Sequence, residues 1–154
     1  MFMVRTRIPG GRVPCDALLA ELDLCERFGN GTLRITSRQG LQLHGIIKDD
    51  LQQTIREIHR TQLTTFGACG DIERTVMCCP APLRHDPVHD QLQQAADAIA
   101  EELRPRTTAY TEIWLQDGEG NREDVSEFVP IDEPIYGAAY LPRKFKTGVA
   151  LPED

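Results

Sequence analysis

No stretch of this sequence approaches the roughly 20 consecutive apolar residues that a bilayer-spanning helix requires. The opening residues, Met1-Phe2-Met3-Val4-Arg5, lack the layered charge, apolar core and small-residue site of a signal peptide. A cytoplasmic chain without membrane contact is therefore expected. No two cysteines stand as Cys-x-x-Cys, and the total of five is odd. Neither a disulfide framework nor a self-contained zinc site is expected from that pattern. Walker, Gly-x-Ser-x-Gly and Gly-x-Gly-x-x-Gly motifs are also missing, so the common phosphate-loop, serine-nucleophile and dinucleotide signatures have no footing here.

What is present is the composition of an ordinary globular protein: 154 residues, 40% hydrophobic and 27% charged, room for one domain or two small ones. The formal net charge of −7 argues against a polyanionic partner such as nucleic acid. Its distribution is uneven. Residues 117–134 hold seven acids against the single base Arg122, which leaves only −1 for the rest of the chain. Bases elsewhere are free to form a local positive patch.

Alternation and helical spacing predict β-α-β-β-α at the start. Phe2–Ile8 reads as a strand with Arg5 and Arg7 on one face, ended by Pro9-Gly10-Gly11. A helix follows Pro14, with Leu18, Leu22, Cys25 and Phe28 as its apolar stripe and Glu21, Asp23 and Glu26 between them. Thr32–Thr36 and Leu41–Ile46 read as strands. Asp49 or Asp50 is expected to cap a helix carrying Leu51, Ile55 and Ile58. One further strand completes a ferredoxin-like sandwich. Beyond the small turn Gly67-Ala68-Cys69-Gly70-Asp71, Thr75–Cys79 is expected to be extended. Asp86-Pro87 then opens a helix with Val88, Leu92, Ala95, Ile99 and Leu103 on its buried side. Glu112–Leu115 and Lys144–Leu151 are expected strands, with an acidic loop between them. Strands that begin and end so near the two termini suggest a sheet whose neighbours lie in a longer chain.

In extended chain, residues i and i+2 share a face. Lys144 and Lys146 are thus expected together, as are Arg34, Thr36 and Arg38. Gln42 and His44 lie opposite the core face of their strand, and Arg74 follows the small turn. A single such base is most simply a solvated strand residue. Four segments doing the same point to a ligand rich in carboxylates, or a small oxyanion, because guanidinium forks and ammonium groups suit both. Cys25 reads as a packing residue and Cys78-Cys79 as buried structural thiols. His59, His85 and His89 read as surface residues.

Several segments resemble the nitrite/sulfite reductase family. Met3-Val4-Arg5-Thr6-Arg7-Ile8-Pro9-Gly10-Gly11 is similar to the opening of its ferredoxin-like half-domain, and Leu33-Arg34-Ile35-Thr36-Ser37-Arg38-Gln39 with Leu41-Gln42-Leu43-His44-Gly45 to a second signature. Ala68-Cys69-Gly70-Asp71 through Arg74 to Cys78, Leu103-Arg104-Pro105-Arg106-Thr107, and Tyr110-x-Glu112-Ile113-Trp114 resemble later blocks. Tyr140-Leu141-Pro142-Arg143-Lys144-Phe145-Lys146 is the most specific. The resemblance implies an α+β chain: a ferredoxin-like α/β sandwich half-domain over 1–65, then the first part of a sirohaem- and iron–sulfur-binding α+β domain over 66–154. It further implies six-electron reduction of sulfite to sulfide at sirohaem coupled to a 4Fe-4S cluster, with electrons from ferredoxin or a flavoprotein subunit.

By the same resemblance Arg5, Arg74, Lys144 and Lys146 surround the substrate, while Arg34, Arg38, Gln42, His44 and Arg143 lie around the macrocycle and its eight carboxylates. The family's cluster cysteines belong to a C-terminal half, so none of the five here is assigned to the cluster, and catalysis is expected only from a longer chain. Lysine at 146, where related nitrite reductases tend to carry asparagine, favours sulfite. Nitrite reduction is the alternative within the family. A remnant that has kept the fold and lost the cofactor is another. A ferredoxin-like RNA-binding module shares the β-α-β-β-α order, but its sheet wants exposed aromatics where this one offers Arg, Gln and His.

Overall fold

The computed structural model describes residues 1–81, 83, 85–107, 114–124, 133–152 and 154. Strand β1 (Phe2–Thr6) pairs antiparallel with β3 (Leu41–Ile46), which pairs on its other edge with β2 (Leu33–Ile35). Helix α1 (Cys15–Arg27) runs between β1 and β2, and α2 (Lys48–Arg60) follows β3. Period-two alternation explains the sheet. Val4, Leu43 and Leu33 form one cross-strand row on the face covered by the helices. Arg5, Gln42 and Arg34 form the adjacent row on the opposite face. Leu43, Ile46 and Ile58 are 0% exposed at the centre of this core, each contributing about 1.5–3 kcal/mol by leaving water.

The expected fourth strand is reduced, among the described residues, to a single antiparallel bridge between Arg7 and Thr64. The first helix is also turned from its expected setting. Ala17, Glu21, Leu24 and Cys25 face inward, while Leu22 is exposed. The turn is accommodated because Thr6 Oγ1 donates to Glu21 Oε1 at 2.6 Å, giving the buried carboxyl a partner. Ile47 rather than an aspartate precedes α2. Asp49 and Asp50 lie in its first turn, where their charge favours the helix dipole without a side-chain capping bond.

The second unit rests on α3 (Pro87–Glu102), capped as expected by Asp86, whose carboxylate accepts from the His89 amide at 3.0 Å. The Asp86 carboxylate also pairs with the His89 ring, so that histidine is half-buried rather than free on the surface. Gln93, Ala96 and Ala100 form the buried side, offset by one position from the expected stripe. Ala96 and Ala100 pack with Val76 and Cys78, and Leu92 and Ile99 of the expected stripe lie partly buried against the same cluster. Segment 72–79 is extended, but it meets 141–149 through parallel bridges at Glu73–Phe145 and Met77–Gly148 rather than a full ladder. Strands β4 (Trp114–Gln116) and β5 (Arg122–Asp124) make a hairpin, so part of the expected acidic loop is strand. Tyr110, Glu112, Ile113 and the rest of that loop, 125–132, lie outside the described residues.

The two units are joined at Pro9-Gly10-Gly11. Gly10 N donates to Val76 O at 2.9 Å, and Gln93 Nε2 donates to Pro9 O at 3.0 Å. Gly10 has φ +62°, a backbone conformation that favours glycine, and a Cβ there would displace the Gln93 amide from its place at the turn.

Candidate functional site: a cationic pocket

On the side of the sheet away from the helices lies a pocket of about 320 Å³. Its wall carries Arg5, Arg38, Arg74, Lys144 and Lys146, together with Gln42, Thr36, Ser37 and Thr75. Five cations from four separate segments thus line one pocket. A larger groove, about 790 Å³, lies between the Gly10–Gly11 turn and α3 and is lined by Ile8, Leu18, Ile35, Leu41 and Leu83. Its Arg12 is already paired with Asp90 at 3.1 Å. The chemistry, not the size, makes the smaller pocket the candidate.

Each cation is positioned by a distinct local feature. Arg5 projects from β1 directly across from Gln42. Turned to satisfy both neighbours, the Gln42 amide oxygen accepts from Arg5 Nη2 at 2.6 Å and Nε at 2.9 Å, and its nitrogen donates to His44 Nε2 at 3.1 Å. His44 is therefore a backing group for Gln42. Arg5 Nη1 also meets Cys69 Sγ at 3.2 Å, a contact between segments 64 residues apart.

Arg38 does not sit on an extended strand with Arg34. It lies in the tight turn between β2 and β3, where Gln39 takes φ +59°, and its Nη2 donates to Thr75 O at 2.8 Å. Arg74 Nε is held by Gly70 O at 2.9 Å. Lys144 and Lys146 flank Phe145, whose amide donates to Ile72 O at 3.0 Å, and both line the pocket as the i, i+2 rule predicts. Phe145 points the other way and remains 54% exposed.

Arg34 shares the cross-strand row with Gln42 but is exposed and lies outside the pocket wall. Arg143 also lies outside the wall. Its charge is nonetheless felt there: Arg143 first, then Arg74, holds the Lys144 ammonium below lysine's usual range, with Lys146 and Arg38 adding to the effect. Arg7 departs most from expectation. It is 4% exposed, past the end of β1, and its Nη2 donates inward to Ala100 O at 2.9 Å.

Two groups escaped the sequence reading. Cys69 reaches the pocket rim only through a long-range contact. Glu73 is 0% exposed behind the wall, and burial pushes its carboxyl up while Arg38, Thr147 and Arg7 oppose that rise. Nothing in local spacing marks a buried acid beside Arg74. Among the described residues no group of three or more His, Cys, Asp or Glu is arranged to hold a metal ion. Cys25 and Cys78 are buried, whereas Cys79 is half-exposed and its thiol donates to Asp154 at 2.9 Å. Among the described residues, no helix is long and apolar enough to cross a membrane.

The chain as a whole is similar to known proteins. Residues 1–61 match the model of the nitrite/sulfite reductase ferredoxin-like half domain. The chain is 48% identical over 151 residues to the sulfite reductase [NADPH] hemoprotein beta-component of Staphylococcus saprophyticus, a match covering 98% of this chain and 26% of that protein. The chain is homologous to the sulfite and nitrite reductase hemoproteins. It is 46% identical to the sulfite reductase [NADPH] subunit beta of Schizosaccharomyces pombe, covering 98% of this chain and 10% of that one. The structure of the Mycobacterium tuberculosis NirA protein superposes with a TM-score of 0.64 at 27% identity, over 97% of this chain and 22% of that protein. This hemoprotein homologue therefore spans about a quarter of the bacterial relatives it matches, and the ferredoxin-like fold of its first unit is that of the half domain.

Proposed function

We propose that this chain supplies the anion-holding wall of a sirohaem-dependent sulfite reductase that takes sulfite to sulfide with six electrons. The observation that carries the reading is the convergence of Arg5, Arg38, Arg74, Lys144 and Lys146 on one pocket. On this reading residues 1–65 are the ferredoxin-like half-domain and 66–154 the first part of the domain that holds sirohaem and the 4Fe-4S cluster. The donor set fits a macrocycle bearing many carboxylates: Arg34, Arg38 and Arg143 would offer guanidinium forks, and Gln42 and His44 would add neutral hydrogen-bonding groups. Sirohaem and the cluster, when bound, would pass the donor's electrons to the substrate.

The chain's own residues do the rest. Arg5, Arg74, Lys144 and Lys146 attract sulfite, fix its orientation and draw charge onto its oxygens. Departing oxygen requires protons. Lys144, made more acidic by Arg143 and Arg74, gives up its proton more readily than an isolated lysine does. The relatives' names join a beta-component to NADPH. That supports electron delivery by a partner subunit over delivery by ferredoxin.

Two measurements test the reading. The protein produced in its natural reading frame, in a host that makes sirohaem, should show a sirohaem absorption spectrum, and replacing Arg34 and Arg38 together by Ala should bleach it. A colourless wild-type protein sinks the cofactor assignment. For the substrate, Lys146→Asn should lower sulfite turnover more than nitrite turnover. Equal losses would remove the preference for sulfite.

A further inference from the structure

Among the described residues, six buried side-chain polar atoms lack a hydrogen-bond partner. Five of them belong to one cluster: both oxygens of Glu73, Arg7 Nε, Arg38 Nη1 and Thr147 Oγ1. Thr147 lies against the carboxylate without a well-formed hydrogen bond. An ionised carboxylate so placed has only Thr147 beside it as a donor, and a neutral one removes the foremost counter-charge of Arg7 and Arg38. The cluster stands directly behind the pocket. Arg38 belongs to both, Arg74 follows Glu73 in the chain, and Phe145, bridged to Glu73, carries Lys144 and Lys146 on either side.

We propose that Glu73 is a positioning residue that sets the pocket's positive charge: protonated, it leaves the cations at full strength for an oxyanion, and ionised, it weakens them. The inference rests on the anion-pocket reading and deepens it. The titratable and charged groups facing Glu73 are Arg7 from the segment after β1, Arg38 from the β2–β3 turn, and Tyr136, whose hydroxyl accepts from the Glu73 amide at 3.1 Å. Burial raises the carboxyl above the ordinary glutamate range, so the change falls at higher pH than for a surface glutamate. Affinity for an anion is greatest below that midpoint and declines as pH rises through it.

The test is sulfate binding to the 154-residue chain, by calorimetry at fixed ionic strength, from pH 4.5 to 8.5. Sulfate keeps its double charge throughout, so the protein alone titrates. Glu73→Gln removes the charge and keeps the shape. The variant should bind like wild type at the acid end and roughly fivefold more tightly at the alkaline end, the scale of one charge acting on a dianion across a solvated pocket. Contributions from the other groups are common to both proteins and cancel in the ratio. A ratio constant across the range overturns the role of Glu73 while leaving the anion pocket intact. Failure of wild type to bind sulfate at any pH overturns the pocket reading itself, and this inference with it. Should the variant not fold, the Glu73 carboxyl carbon of wild type is followed by NMR. By reciprocal linkage, saturating sulfate must raise its titration midpoint, and an unmoved midpoint refutes the proposal.

Discussion

Replacing Gln42 by Leu isolates the one neutral side chain that organises the pocket. Its oxygen accepts two bonds from the Arg5 guanidinium, at 2.6 and 2.9 Å, while the opposite end of its amide is backed by His44. Bonds from a charged donor contribute about 1.5–3 kcal/mol each when buried. Gln42 is only half-buried, and the Arg5–Cys69 contact survives the change, so a total of about 1–2 kcal/mol is a fair expectation for holding Arg5 in place. Loss of that restraint should weaken sulfate binding by roughly 5- to 30-fold at low ionic strength. Thermal stability should change little, since leucine fills the space and Arg5 can reach water. Gln42→Glu should weaken anion binding further, because its charge would neutralise Arg5 directly. Calorimetric titration of the three proteins at one pH decides it. An affinity for Gln42→Leu within twofold of wild type would show that Arg5 needs no support from β3, and the relay from His44 through Gln42 would have to be abandoned.

Further outcomes follow from the rest of the fold. Glu21 is buried, with one oxygen bonded by Thr6 and the other unpartnered, and burial raises its carboxyl. A raised folded-state pKa means the protonated form favours folding. Its stabilisation is complete below the unfolded pKa and lost as pH rises through the folded one. Glu21→Gln, which can still accept from Thr6, should therefore match wild type in acid and exceed it at neutral pH by about 1–3 kcal/mol in urea unfolding. A gap that does not grow with pH would contradict this. Gly10→Ala should cost about 2–3 kcal/mol, from its left-handed backbone and displacement of Gln93, read as a fall of roughly 5–10 °C in Tm. An unchanged Tm would show that the turn relaxes freely. Asp86→Ala removes the cap of α3 and should lower its amide protection in hydrogen exchange, most in the first turn.

The parts legible in the sequence were those governed by local periodicity. Leu41–His44 alternates so plainly that strand and face both follow, and Asp86-Pro87 announces a helix by capping chemistry alone. Helix facing was harder. In α1 and α3 the apolar positions are wide enough to allow a rotation of one residue, and tertiary contacts chose it: Thr6 drew Glu21 inward, and the Gly10 turn drew Gln93 inward. The strand at 144–151 looked continuous because its sequence permits it. Its pairing is intermittent because the partner segment, 72–79, meets it at only two bridges.

The pocket shows the same division. Lys144 and Lys146, or Arg5 and Gln42, follow from which side of a strand a residue takes, and sequence spacing gives that directly. Arg7 obeys the same alternation, yet its side chain is covered by the second unit, where its guanidinium donates to Ala100 O. Glu73 is held beside it by its own backbone, through Tyr136 and the bridge to Phe145. With two arginines from distant segments nearby, an acid there has electrostatic company that no window of neighbouring residues contains. The cations that face the ligand are therefore written locally. The charge that tempers them arises from the way the two units close on each other, and a variant that loosens the Gly10–Gln93 junction should disturb the pocket's charge without touching any residue on its wall.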